Sequence, residues 1–124
     1  MIGRMVRKLN VMIDDELVIF WHALWTQIAE IVQEYSRDLL IITNVSGDLR
    51  IETKDGRPFV RVRVQRKHVG VYLLPLYYHR RILPSSLKQY YSGKGTLRFI
   101  DVDENILSEF RELMERCQSL IGFF

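Results

Sequence analysis

The sequence predicts an α+β fold: an antiparallel five-stranded sheet framed by a helix at each end of the chain. Three observations carry that expectation. Apolar residues recur at three- and four-residue steps from Leu17 to Tyr35 and again from Ile106 to Leu120, the pattern of amphipathic helices. Between these lie short, alternating, β-branched stretches. Turn residues separate them at Ser46-Gly47, Asp55-Gly56 and Ser92-Gly93-Lys94-Gly95.

Each element follows in order. Met1 to Met12 shows no stable period and reads as a loose N-terminal arm. Asp14 or Asp15 offers an N-cap, so the first helix is expected from about residue 15 to about residue 36. Leu39 to Val45 is apolar and β-branched, a first strand. Leu49 to Lys54 alternates Leu49, Ile51 and Thr53 against Arg50, Glu52 and Lys54. Asp55-Gly56 suits a type I′ hairpin, where both central residues take positive φ. Val60, Val62 and Val64 then alternate with Phe59, Arg61, Arg63 and Gln65, and His68 to Leu74 completes a four-stranded meander. Pro75 to Ser92 reads as irregular, with a short helix opening at Pro84-Ser85. Thr96 to Asp101 returns as the fifth strand, and Asp103 caps the final helix.

Both helices have one apolar face and each strand one apolar side, so both helices are expected on one face of the sheet. The other face then carries Arg50, Glu52, Arg61, Arg63, Gln65, Tyr72 and Arg98. The 124 residues suit one domain, residues 1–124, and 48% hydrophobic content argues against extended disorder. One cysteine, Cys117, forms no internal disulfide, which favours a reducing compartment. No secretory h-region follows Arg4, Arg7 and Lys8. Leu17 to Ile28 is interrupted by His22, Thr26 and Gln27, too short for a membrane span. A cytoplasmic protein without membrane contact is expected.

Charge is unevenly placed. Net charge is +3, but every charged residue from Arg57 to Lys94 is basic, whereas Asp101 to Glu115 is mostly acidic. A basic sheet face would meet an acidic protein or an anionic ligand. With Tyr72, Tyr77, Tyr78, Tyr90 and Tyr91 nearby, nucleic acid is a further option, although the aromatic strand motif of RRM domains is absent. The run Tyr77-Tyr78-His79-Arg80-Arg81 combines aromatic rings with guanidiniums, a mixture suited to an anionic or planar ligand. Ser92-Gly93-Lys94-Gly95-Thr96 lacks the glycine five residues before Gly93 and the following helix of a phosphate loop. It reads as a turn, with Lys94 as an anion contact at most.

Catalytic chemistry has little to work with. Cys117 falls on the apolar face of the last helix, and no serine or carboxylate pair stands beside a base in sequence. His22, His68, His79 and Cys117 are not spaced as a zinc motif. A binding or interaction domain is therefore the first expectation, a small-molecule enzyme the last. Two sheet edges leave a homodimer open as well.

Lys67-His68-Val69-Gly70-Val71-Tyr72-Leu73-Leu74-Pro75, then Ser92-Gly93-Lys94-Gly95-Thr96-Leu97-Arg98-Phe99, then the closing helix resemble the YdhG-like family. The resemblance runs from Lys67 to Ile121. It implies a frataxin-like α+β architecture and, for some members, service as an intracellular iron chaperone. Iron in such proteins is associated with carboxylates on the first helix and adjoining strand. This sequence offers Asp14, Asp15, Glu16, Glu30 and Glu34 on the helix and no acid in Leu39 to Val45. The resemblance thus implies iron as the cofactor to test, with Asp101, Asp103 and Glu104 as its ligand candidates.

Overall fold

A computed structural model describes residues 2–124, with side chains from Glu16 onward. Helix α1 (Ile2–Glu34) leads into strands β1 (Leu40–Val45), β2 (Asp48–Glu52), β3 (Pro58–Val64) and β4 (Val69–Leu73). A short helix α2 (Leu74–Tyr78) and two 3₁₀ turns (Arg80–Ile82 and Ser85–Tyr90) follow. Strands β5 (Tyr91–Ser92) and β6 (Thr96–Phe99) then precede helix α3 (Glu104–Ser119). The sheet is antiparallel throughout, in the order β1-β2-β3-β4-β6-β5.

Four expectations are corrected. Helix α1 begins at Ile2, so Asp14 and Asp15 lie inside it rather than at its cap. The arm read from Met1 to Met12 is thus helical from Ile2, in keeping with its Arg, Met, Lys and Leu content. The sheet has six strands, not five. With Gly93 and Gly95 at φ 69° and 78°, the turn folds Tyr91-Ser92 back on Leu97 and Thr96. Gly95 has a second reason to be glycine: a Cβ there would stand 2.9 Å from the Leu73 carbonyl oxygen. The Asp55-Gly56 turn is not type I′, because Gly56 takes positive φ and Asp55 does not. The Thr53 carbonyl accepts from the Gly56 N–H (2.9 Å), and the Thr53 hydroxyl accepts from the Arg57 N–H (3.2 Å), giving a longer loop closed by one left-handed glycine. Last, the irregular stretch after β4 holds α2 and a 3₁₀ turn ahead of the expected helix, itself 3₁₀ over Ser85–Tyr90. Pro75 sits in the first turn of α2, where its missing N–H costs no helical bond.

Asp103 caps α3 as the sequence indicates, its Oδ1 accepting from the Ile106 N–H at 2.8 Å. One core joins all the layers. Leu24, Ile28 and Val32 of α1 and Leu107, Phe110 and Leu113 of α3 are buried together with Leu49, Ile51, Val60, Val62, Val71 and Leu97 of the sheet. Burying each such side chain contributes about 1.5–3 kcal/mol. Trp25 adds direction, its indole N–H donating to the Val62 carbonyl at 2.8 Å and tying α1 to β3. Because both helices cover the apolar side, the opposite side of the sheet stays open.

Candidate functional site

Strand pairing builds two rows on that open face. Arg61 of β3 pairs with Tyr72 of β4, which pairs with Thr96 of β6. One step along, Arg63 pairs with Gly70, which pairs with Arg98. The alternation that buries Val60, Val62, Val71 and Leu97 necessarily turns these residues outward. Together with Pro58, Gln65 and His68 they line a depression of about 550 Å³. That size lies within the range of about 300–1,000 Å³ usual for small-ligand sites.

The lining holds Arg61, Arg63 and Arg98 and no acidic side chain. Among the described residues the ion pairs are Arg50–Asp48 and Arg116–Glu112, so none of these three arginines is in one. Asp48 stands opposite Arg63 in register, but its two oxygens bind the Arg50 Nε at 3.1 Å and Nη2 at 3.2 Å. Arg50 is opposite Arg61, a like-charge pairing that opposes sheet stability, and the grip of Asp48 offsets it on the Arg50 side only.

Two titrating groups share the depression. Burial first, then the Arg98 guanidinium, lowers the pKa of His68 from its ordinary 6.5, which favours the neutral ring. Burial, with Tyr77 and Tyr78, raises the pKa of Tyr72, against the opposite pull of Arg61. Tyr72 therefore keeps its O–H at neutral pH and can donate to an anion.

The remaining sequence candidates are dispersed. Arg50 is held by Asp48 and lines a smaller hollow with Ile42, Thr43 and Pro58. The Tyr77-to-Arg81 run is divided. Tyr77 and Tyr78 are exposed on α2 with rings 5.0 Å apart, and Arg57 lies 6.0 Å over the Tyr78 ring. His79 turns to the C-terminus, its Nε2 donating to the Phe123 carbonyl at 2.8 Å. Arg80 and Arg81 line a second cleft with Ser85, Lys88 and Tyr91, and the Arg80 guanidinium stacks 5.1 Å over the Tyr91 ring. Lys94 is exposed in the β5–β6 turn, outside both depressions.

Of the metal candidates, Asp101 accepts from the Val102 N–H at 2.8 Å and Asp103 caps α3, while Glu104 occupies the helix's first turn. Among the described residues no three His, Cys, Asp or Glu side chains converge on one point. Cys117 is fully buried, its thiol pushed up to about 12, and is chemically inert. His22 is packed beside the β1–β2 turn, its Nδ1 3.2 Å from the Ser46 hydroxyl. No described helix is long and apolar enough to cross a membrane.

Sequence reading missed Pro58, His68, Gly70 and Thr96 as lining residues. The signal was available in part: His68 and Gly70 share the parity of Tyr72 along one strand. Thr96 became visible only once β6 was known to pair with β4. No family model, curated protein or solved structure matches the chain.

Proposed function

We propose that this chain is a binding domain that takes an anionic ligand on the open face of its sheet. One observation carries the reading: Arg61, Arg63 and Arg98 line a single depression that contains no acid and no ion pair among the described residues. Guanidiniums grouped in this way repel one another, and a bound anion relieves that repulsion. The strands fix the arginine backbones in advance, so the ligand need not order them.

Titration calorimetry with inorganic pyrophosphate in low and high salt tests the reading. Binding that weakens with added salt and disappears in a triple Arg61→Ser, Arg63→Ser, Arg98→Ser variant is the expected result. Absence of binding by pyrophosphate, sulfate and an acidic peptide alike would sink it.

A second reading concerns assembly. The outer edge of β1 presents Leu40, Ile41, Ile42 and Val45 to solvent, and the strand holds no Lys, Glu or Pro to discourage pairing. Leu17, Val18, Ile19 and Phe20 are also exposed, one helical turn before His22 and hence close to the β1–β2 turn. We infer that β1 pairs antiparallel with β1 of a second copy across a two-fold axis. The opposite edge, the two-residue β5, is too short to serve. Light scattering should give a dimer for the native chain and a monomer for Ile42→Lys; a native monomer at high concentration would exclude this reading.

A further inference from the structure

The floor of the depression is a glycine that the backbone does not require. Gly70 lies within β4 and its φ is outside the left-handed region. In mid-strand a glycine lacks the side chain that packs a sheet face, so its presence there marks a bulge or the close approach of another group. No bulge interrupts the pairing of β4 with β3 or β6. A Cβ built on Gly70 meets nothing nearer than 3.7 Å, at Gln65 Cγ and His68 Nε2, so packing does not demand glycine either.

The register explains what the missing side chain leaves open. Arg63, Gly70 and Arg98 form one row across β3, β4 and β6. Adjacent strands lie about 4.8 Å apart, so the two arginine backbones are about 10 Å apart with bare backbone between them. Resting on the anion-binding reading above, we propose that the gap over Gly70 seats the phosphate monoester group of a small ligand, held from either side by Arg63 and Arg98.

The chemistry favours this ligand over a nucleic-acid strand. Two arginines lining one depression on either side of Gly70 match a dianion, and their forked donors suit the several oxygens of a terminal phosphate. A phosphodiester carries one charge per phosphate, and a strand of them needs cations strung along its path. Arg61 and the Tyr72 hydroxyl in the neighbouring row supply donors for a second phosphate or a polar substituent. Thr96 closes that row.

Calorimetric titration of the full chain with phenyl phosphate, inorganic phosphate and a single-stranded oligonucleotide with hydroxyl ends tests the proposal. Phenyl phosphate should bind, inorganic phosphate should compete for the same site, and the oligonucleotide should be the weakest. Gly70→Val should lower phenyl phosphate affinity at least tenfold while circular dichroism and the melting profile stay near those of the native protein. Gly70→Ala, the smaller filler, should give a lesser loss and carries the test if the valine variant fails to fold. Unchanged affinity in a folded Gly70 variant would overturn the seat, yet the broader reading would stand if Arg98→Ala still lost binding. No binding of any phosphate probe by the native chain would overturn the seat, and the broader reading falls with it only if sulfate and an acidic peptide fail as well. Equal or tighter binding of the oligonucleotide would overturn the monoester assignment.

Discussion

Arg98 and Phe99 are consecutive residues of β6, yet they belong to different parts of the molecule's physics. Phe99 is 1% exposed, with its ring 5.0 Å from Tyr90 and 5.7 Å edge-on to Phe110. Arg98 projects from the other side of the strand into the open depression. The same contrast holds for Val62 and Arg63 on β3 and for Val71 and Gly70 on β4. One face of the sheet is explained by burial. The other is not: its like charges stand opposite each other, and its central row has a glycine where strand propensity favours a side chain. Residues that do nothing for stability, placed on a rigid frame, are the ones to examine for binding.

The largest test of this asymmetry is Phe99→Ala. Removing a fully buried ring should cost about 3–5 kcal/mol in urea unfolding, from lost burial and the cavity left behind. A loss below about 1 kcal/mol would mean that the inner face is not the stabilising one. Next comes Arg98→Ala, which should leave unfolding within about 0.5 kcal/mol of the native value. The same variant should weaken phenyl phosphate binding by tenfold or more, as expected for a lost hydrogen bond to a charged group worth about 1.5–3 kcal/mol.

A smaller effect is expected from pH. The folded pKa of His68 is depressed below 6.5, so the unfolded chain binds more protons and the free protein should lose stability as pH falls below about 6.5. Sulfate, whose charge is constant in this window, should do the reverse. Burial is the larger cause of that depression and Arg98 the second; an anion beside Arg98 offsets the second, so sulfate affinity should rise from about pH 8 to about pH 5. The charged and titratable groups that line the depression with this ring are Arg61, Arg63, Arg98 and Tyr72, with no carboxylate to mask the effect. His68→Gln should flatten the profile; an unchanged slope would assign the proton elsewhere. The smallest effect belongs to Arg81→Ala in the second cleft, which should alter phenyl phosphate binding at the sheet face by less than about two-fold if the sites are independent. A larger change would join the two basic depressions into one surface.

Much of the fold was legible because local patterning and tertiary packing agree. The three-and-four spacing of Leu24, Ile28 and Val32 fits the face buried in α1, and Asp103 does cap α3. The parity of Arg61, Arg63 and Tyr72 placed them opposite Val60, Val62 and Val71 before any pairing was known. Signals failed where conformation depends on a pairing or packing partner rather than on the segment's own residues. Tyr91-Ser92 carries no strand pattern of its own and is a strand because Thr96 and Leu97 pair with it. Tyr77 to Arg81 looked like one recognition loop, but α2 and the following 3₁₀ turn send its two halves to different surfaces.

By itself, then, the sequence determined which residues are inside over most of the chain, but not at Leu17, Phe20 and β1, whose apolar side chains are exposed. Hydrophobic period and turn chemistry are local, and they divide the strands into an apolar side and a basic side. Only the tertiary structure decided which basic residues act together. Register across β3, β4 and β6 set Arg63 and Arg98 on either side of Gly70, and Asp48 withdrew Arg50 from the group. That choice lies in the alignment of strands joined by connections of different lengths, which composition and periodicity along the chain do not encode.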